Sequence, residues 1–165
     1  LLDILVEATT AYLIAQVEAG AEALQLFESW AGTIPANDID AFSINPLKQI
    51  IARVRKKAPH TPIIVFPRNA GASYPRYAET GANAISLDTH TPIAWARRQF
   101  GSHVALQGNL DPLALIAGGD ALTRSVEQIL RDTEGAPHVF NLGHGIRPET
   151  PIAHVEHLIR LVRGR

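Results

Sequence analysis

Cysteine and methionine are both missing from the 165 residues of the sequence. Without cysteine, the chain forms no disulfide and supplies no thiolate nucleophile or thiolate ligand for zinc. Because methionine is missing even at position 1, we expect the sequence to be part of a longer protein.

An excess of one charge and a long apolar segment are also missing. The 15 Lys and Arg nearly balance the 16 Asp and Glu, and no basic stripe interleaved with aromatic residues indicates a nucleic-acid partner. Glu, Gln or Gly interrupts the longest apolar stretches, so no membrane segment is expected, and the first ten residues lack the features of a signal peptide. We therefore expect a cytoplasmic protein, whose 46% apolar content suffices for one domain over residues 1–165.

Five apolar runs punctuate the chain, and they are nearly continuous rather than alternating. They lie at residues 22–29, 62–68, 84–89, 103–109 and 138–144. Continuous runs of this length are typical of strands covered on both faces in a parallel sheet. The sequence therefore predicts five parallel strands.

Amphipathic helices are predicted between these runs. Residues 1–19 form one helix that stops at Gly20, and residues 45–57 form another with an apolar face. That face comprises Leu47, Ile50, Ile51 and Val54, and the last helix has a similar stripe of Ile152, Val155, Ile159 and Val162. Four helix starts pair a capping side chain with proline at the first helical position: Asn45-Pro46, Thr91-Pro92, Asp111-Pro112 and Thr150-Pro151.

Five βα units in a row predict an α/β fold with a parallel sheet. An open doubly wound sheet is one alternative, but no glycine-rich phosphate loop follows the early strands. The other alternative, which we favour, is a (β/α)8 TIM barrel. A whole barrel needs about 250 residues, so this chain would supply about the last five βα units and leave the sheet edges unpaired.

Polar residues collect where the predicted strands end. Because the carboxyl ends of parallel strands lie at one end of a barrel, where barrel enzymes place their chemistry, these residues are candidates for a site. His144 stands out because two glycines flank it and a loop follows. Arg68 fits either an ion pair or an anion-binding group.

Several other polar residues have structural explanations. Asp111 is expected to cap a helix, and Asp88 to cap the next helix or orient a neighbour. Glu28 precedes Ser29, so it should point to the opposite side of its strand, towards the helices or into a salt bridge. His154 and His157 are expected on a solvated helix face rather than as a metal pair.

Four segments together resemble the uroporphyrinogen decarboxylase family. They are "LQLFESWAG" (24–32), "VFPRNAGA" (65–72), "LQGNLDPLAL" (106–115) and "FNLGHGIRPETP" (140–151). The resemblance covers the C-terminal half to two-thirds of such an enzyme, with the segments in the family's order. Two departures are Asn69, where the family often has glycine, and Thr89, where an aromatic residue is common.

The resemblance implies a cofactor-free barrel enzyme, a carboxy-lyase that is usually a homodimer. Such enzymes convert uroporphyrinogen III to coproporphyrinogen III in haem biosynthesis by decarboxylating four acetate side chains. Ser29 and His144 would then contact substrate, His144 binding a carboxylate, and Phe27 would line the cleft. Arg68 and Arg147 are further candidates as carboxylate partners by charge alone.

The family's catalytic aspartate, arginines and tyrosine belong to segments before residue 1. No catalytic residue can therefore be mapped on this chain, and the fragment alone is expected to be inactive. Two alternatives remain. One is a corrinoid-dependent methyltransferase of the same fold, which the missing cysteines disfavour because that chemistry uses thiolate-bound zinc. The other is a non-catalytic tetrapyrrole-binding relative.

Overall fold

The computed structural model describes residues 1–101 and 103–164. The strands are β1 (Leu24–Glu28), β2 (Ile63–Pro67), β3 (Ala84–Ser86), β4 (Ala105–Gln107) and β5 (His138–Val139). The helices are α1 (Leu2–Glu18), α2 (Asn45–Lys57), α3 (Tyr74–Ala78), α4 (Ile93–Phe100), α5 (Pro112–Ala117), α6 (Gly119–Asp132) and α7 (Ile152–Arg163). A π-helical turn over Asp40–Ile44 precedes α2, and 3₁₀ turns follow β1 and β2 at Ala31–Thr33 and Gly71–Ser73.

The strands form one sheet in the order β1-β2-β3-β4-β5, and β1–β2, β2–β3 and β4–β5 pair in parallel. A strand order that follows the chain without reversal is typical of a barrel, whereas a doubly wound sheet reverses direction at its switch point. The prediction of an α/β fold built from five βα units of a barrel is therefore confirmed. β1 and β5 are the first and last strands in this order.

The chain divides into two compact units, Leu1–Ile85 and Ser86–Arg165. In the first unit α1 packs against α2. The four apolar residues predicted for the face of α2 are all buried: Leu47, Ile50, Ile51 and Val54. The first helix stops as predicted, because Gly20 has a φ of +104° that glycine adopts readily.

In the second unit α6 packs against α5 and α7 and buries Leu122, Val126 and Ile129. The last helix differs from α2 because no residue of α7 is fully buried. Part of its apolar stripe, Ile159 and Val162, lines an open cleft of about 230 Å3 beside the end of β5.

Only one of the four predicted helix caps is confirmed: the Asp111 carboxylate accepts the Leu113 N–H at 2.8 Å. The cap at Asn45 is wrong because the π-helical turn runs directly into α2 and leaves Ile44 already helical. The caps at Thr91 and Thr150 are wrong because the following prolines, Pro92 and Pro151, occupy the capping position themselves.

The predicted strands are shorter in the structure. The largest change is at residues 138–144, where β5 retains only His138 and Val139. Beyond it, a single isolated bridge joins Leu142 to Leu110. Within residues 1–101 and 103–164, no helix has the length and apolar character that crossing a bilayer requires.

Candidate functional site

In the first unit, the ends of β1 and β2 present a mixed aromatic and polar face. The register pairs Phe27 with Phe66, and the backbone N–H of Arg68 donates to the Glu28 carbonyl at 3.0 Å, which continues the pairing by one residue. Because the two residues are paired in register, Phe27 and Phe66 lie on the same face of the sheet, and Ser29 and Arg68 are the first residues of the turns that follow β1 and β2. We call these four residues the Ser29 cluster.

The Ser29 cluster is open to solvent. The Phe27 side chain is 67% exposed, and its ring meets the edge of Phe66 with centroids 6.1 Å apart and planes at 83°. Ser29 is exposed and Arg68 is half-buried. Two aromatic rings at the ends of neighbouring strands, with a hydroxyl and a guanidinium on the turns that follow, suit a flat apolar ligand that carries anionic groups.

The turn after β1 lies tightly against the turn after β2. A Cβ atom on Gly32 would come within 2.6 Å of the Asn69 carbonyl oxygen, so only glycine fits there. Asn69 itself has a φ of +58°, in the left-handed region. Asparagine tolerates that region better than most residues, which accounts for asparagine at a position where the resembled family often has glycine.

Glu28 lies on the opposite side of β1, as alternation predicted. Its carboxylate accepts a hydrogen bond from the Ser43 hydroxyl at 3.0 Å, and Ser43 lies 2.9 Å from the Tyr77 hydroxyl. Burial is the main reason that the pKa of Tyr77 rises to about 12, and the nearby Glu28 charge contributes. Sequence reasoning missed Ser43 and Tyr77, since nothing local to either indicates that they meet.

In the second unit, His144 was expected at the end of the strand 138–144, but β5 stops at Val139 and His144 lies on the exposed loop beyond it. Its Nδ1 accepts the Gly145 N–H at 2.7 Å. Because Nδ1 accepts, the proton of the neutral ring must be on Nε2. The Nε2–H is therefore available to donate to a ligand.

The two glycines beside His144 differ in their surroundings. A Cβ atom on Gly143 would come within 2.6 Å of the Thr89 backbone nitrogen, and the Gly143 N–H donates to the Leu110 carbonyl at 2.8 Å. Gly143 is therefore required by packing of the loop. Around Gly145 no described atom lies within 4 Å of the position of a Cβ atom, which leaves open space beside the imidazole.

The buried polar residues near the ends of β3 and β4 have structural partners. Asp88 accepts hydrogen bonds from the His90 N–H at 2.9 Å and the Thr91 hydroxyl at 3.0 Å. The Asn109 amide donates to the carbonyls of Asp88 and Thr91 at 2.8 and 2.6 Å, and the Gln107 amide donates to the Ser86 hydroxyl at 3.1 Å. The structural interpretation of Asp88 is confirmed, although it holds a turn rather than a helix.

Histidine 154 was predicted on a solvated face, and that prediction is wrong. Its ring is half-buried, Nδ1 lies 3.0 Å from the Leu115 carbonyl oxygen, and Gly118 packs against it. His154 therefore links α7 to the end of α5. Over residues 1–101 and 103–164 no group of three or more His, Cys, Asp or Glu could hold a metal ion.

His138 lies in β5, half-buried, with Nε2 2.6 Å from the Gly108 carbonyl oxygen. Burial lowers the pKa of His138, the hydrogen bond to Gly108 opposes that effect, and the nearby Arg97 charge adds to it. Because a carbonyl oxygen can only accept, Nε2 carries a proton and donates it to Gly108. His138 thus joins β5 to the end of β4.

The fold and the polar strand ends define a βα-barrel protein whose candidate site lies where the strands finish. Over residues 1–165 the sequence matches the family model described as uroporphyrinogen decarboxylase (URO-D). The chain belongs to the uroporphyrinogen decarboxylase family.

Proteins named uroporphyrinogen decarboxylase are similar to this chain. One from Rhizorhabdus wittichii is 48% identical over 165 residues, 99% of this chain and 48% of that protein. One from Granulibacter bethesdensis is 51% identical over 160 residues, 96% of this chain and 47% of that protein. The chain therefore spans about half the length of the curated relatives it matches.

Two solved structures share the fold. A methyltransferase from Methanosarcina mazei has a TM-score of 0.85 at 23% identity, covering 98% of this chain and 48% of its own. A B12-independent methionine synthase from Shewanella sp. W3-18-1 has a TM-score of 0.71 at 13% identity, covering 97% of this chain and 54% of its own. At these identities the likeness shows the fold alone.

Proposed function

We propose that this chain is the substrate-binding part of a uroporphyrinogen decarboxylase, which removes carbon dioxide from the four acetate side chains of uroporphyrinogen III to give coproporphyrinogen III. The observation that carries the proposal is the match to the family over residues 1–165, with relatives of that name 48% identical across nearly the whole chain. The homodimer and the cytoplasmic location remain part of this proposal.

Within this proposal, Ser29, His144, Phe27 and Arg68 bind substrate. Uroporphyrinogen carries eight carboxylates on an apolar macrocycle, so its site needs hydrogen-bond donors around an apolar surface. The Ser29 hydroxyl and the Arg68 guanidinium, on the turns that follow β1 and β2, supply donors, and the His144 Nε2–H supplies another. Arg147, which is also exposed, is a weaker candidate on charge alone.

The chemistry of decarboxylation limits what these residues do. Loss of carbon dioxide leaves an electron pair that needs an acceptor, and the mechanism implied by the family protonates a pyrrole carbon so that the ring itself accepts it. A carboxylate near the pyrrole N–H groups then stabilises the cation, an effect worth about 3 kcal/mol for a well-placed group. The family's aspartate, arginines and tyrosine do not map onto this chain, so its residues bind and orient the substrate.

The test is a hybrid protein in which residues 1–165 replace the matching 48% of the Rhizorhabdus wittichii relative. We expect the hybrid to form coproporphyrinogen III from uroporphyrinogen III, measured by chromatography of the oxidised products, and residues 1–165 alone to form none. The intact relative serves as the control. A folded hybrid without product, beside an active control, would refute the proposed function, and product from residues 1–165 alone would refute the assignment of binding only.

A further inference from the structure

We propose that Tyr77, Ser43 and Glu28 form a directed hydrogen-bond chain that positions Ser29 for substrate. This inference rests on the proposed function, because it assigns positioning residues to the same site. The three residues come from α3, the π-helical turn and β1, all within the first unit. The Glu28 side chain lies on the face of β1 opposite Phe27 and bonds to Ser43, so in this proposal none of the three touches the substrate.

The direction of the chain follows from the number of protons available. Ser43 has one hydroxyl proton, which it donates to Glu28 Oε2 at 3.0 Å. The bond of 2.9 Å between Ser43 and Tyr77 must therefore use the Tyr77 proton. Ser43 is 1% exposed and Tyr77 is 0% exposed. Consecutive hydrogen bonds through two buried hydroxyls to a half-buried carboxylate fix the side chains more strongly than separate bonds would.

Tyr77 stays a donor over the whole ordinary range of pH. Burial raises its pKa to about 12, so the hydroxyl keeps the proton that starts the chain. The direction of the hydrogen-bond chain, from Tyr77 through Ser43 to the Glu28 carboxylate, is therefore the same over this pH range.

The Glu28 residue connects this chain to the segment that carries Ser29. The Glu28 Oε1 accepts the Trp30 N–H through a long bond of 3.4 Å, and the Glu28 carbonyl accepts the Arg68 N–H at 3.0 Å. Ser29 lies between these two anchored backbone groups, and its own side chain is exposed. The position of its hydroxyl therefore depends on how the backbone at residues 28–30 is held.

The first test measures amide hydrogen exchange in the folded hybrid protein by NMR. Ser43→Ala should speed exchange at the Trp30, Gly32 and Arg68 amides by about tenfold, the equivalent of one lost hydrogen bond of about 1.4 kcal/mol. The matched control is Thr10→Val, which deletes another buried hydroxyl of this unit, bonded to the Val6 carbonyl in α1. Unchanged exchange in Ser43→Ala at these three amides would overturn the proposal.

The second test asks whether the effect passes through Ser29, using KM in the hybrid protein. Ser43→Ala should raise KM for uroporphyrinogen about fivefold, with a smaller change in kcat, but less than twofold when Ser29 is already alanine. Equal effects in both backgrounds would overturn the positioning role. If Ser43→Ala does not fold, Tyr77→Phe removes only the terminal hydroxyl and enters the same two tests.

The two failures are distinguishable. A folded hybrid that is inactive with the native Ser43 refutes the proposed function. The amide exchange rates then decide alone whether the hydrogen-bond chain holds the backbone of residues 28–32. An active hybrid with additive effects of Ser29→Ala and Ser43→Ala leaves the proposed function standing and refutes the positioning role.

Discussion

Replacing Gly143 by alanine tests whether packing or ligand approach explains the glycines beside His144. The added Cβ would lie 2.6 Å from the Thr89 nitrogen and 2.9 Å from the Asp88 carbonyl carbon. Both are backbone atoms that no side-chain rotation moves away. Overpacking costs about 1–3 kcal/mol, and because the backbone must shift here we expect the upper end, about 3 kcal/mol of unfolding free energy.

Gly145→Ala is the matched control on the other side of the same histidine. Open space surrounds the position of a Cβ atom on Gly145, and its φ lies outside the left-handed region. The free energy of unfolding of the variant should therefore stay within about 0.5 kcal/mol of the native value, or rise slightly because alanine reduces the freedom of the unfolded state. Urea unfolding followed by circular dichroism measures both. Equal stabilities for the two variants would refute the packing explanation of Gly143.

Three further predictions concern stability. Asp111→Ala should lower the free energy of unfolding by about 1 kcal/mol because it removes a helix cap. Thr150→Ala should lower it little, because the Thr150 hydroxyl has no hydrogen-bond partner among the described residues. Urea unfolding midpoints measure both, and equal losses of stability would contradict the structure. The Tyr77 pKa rises from 10.0 to about 12, so the unfolded chain loses this proton first, and stability should fall by about 2 kcal/mol between pH 10 and 12. Tyr77→Phe should lack that fall, and a stability–pH profile identical to that of the native chain would contradict the assignment to Tyr77. The His138 pKa is lowered from 6.5, so on acidification the unfolded chain gains this proton first. Stability should therefore fall as pH drops below 6.5. A His138→Gln variant whose stability falls equally in acid would contradict the assignment to His138.

The strands and most helices could be predicted because their signals are local. Near-continuous apolar runs gave the five strands, and the spacing of Leu47, Ile50, Ile51 and Val54 gave the buried face of α2. The position of Glu28 opposite Ser29 followed from the two-residue period of a strand. Each of these inferences uses residues that are close in sequence.

The errors and omissions concern contacts between distant residues. Ser43 and Tyr77 are 34 positions apart, and His154 reaches Leu115 across 39 positions, so no local pattern could reveal either contact. The caps at Thr91 and Thr150 were wrong by one residue, because a proline can either cap a helix or occupy its first turn. The roles of Ser29, Phe27, Arg68 and His144 toward substrate remain predictions.

The central claim is that exposed donors at strand ends bind the carboxylates of uroporphyrinogen, and His144 tests it most directly. Steady-state kinetics of His144→Ala in the hybrid protein should show KM raised at least tenfold, since a hydrogen bond to a charged group contributes about 1.5–3 kcal/mol. His60→Ala, which removes an exposed histidine before β2, should leave KM within twofold. A His144→Ala hybrid with the native KM and kcat would contradict the claim.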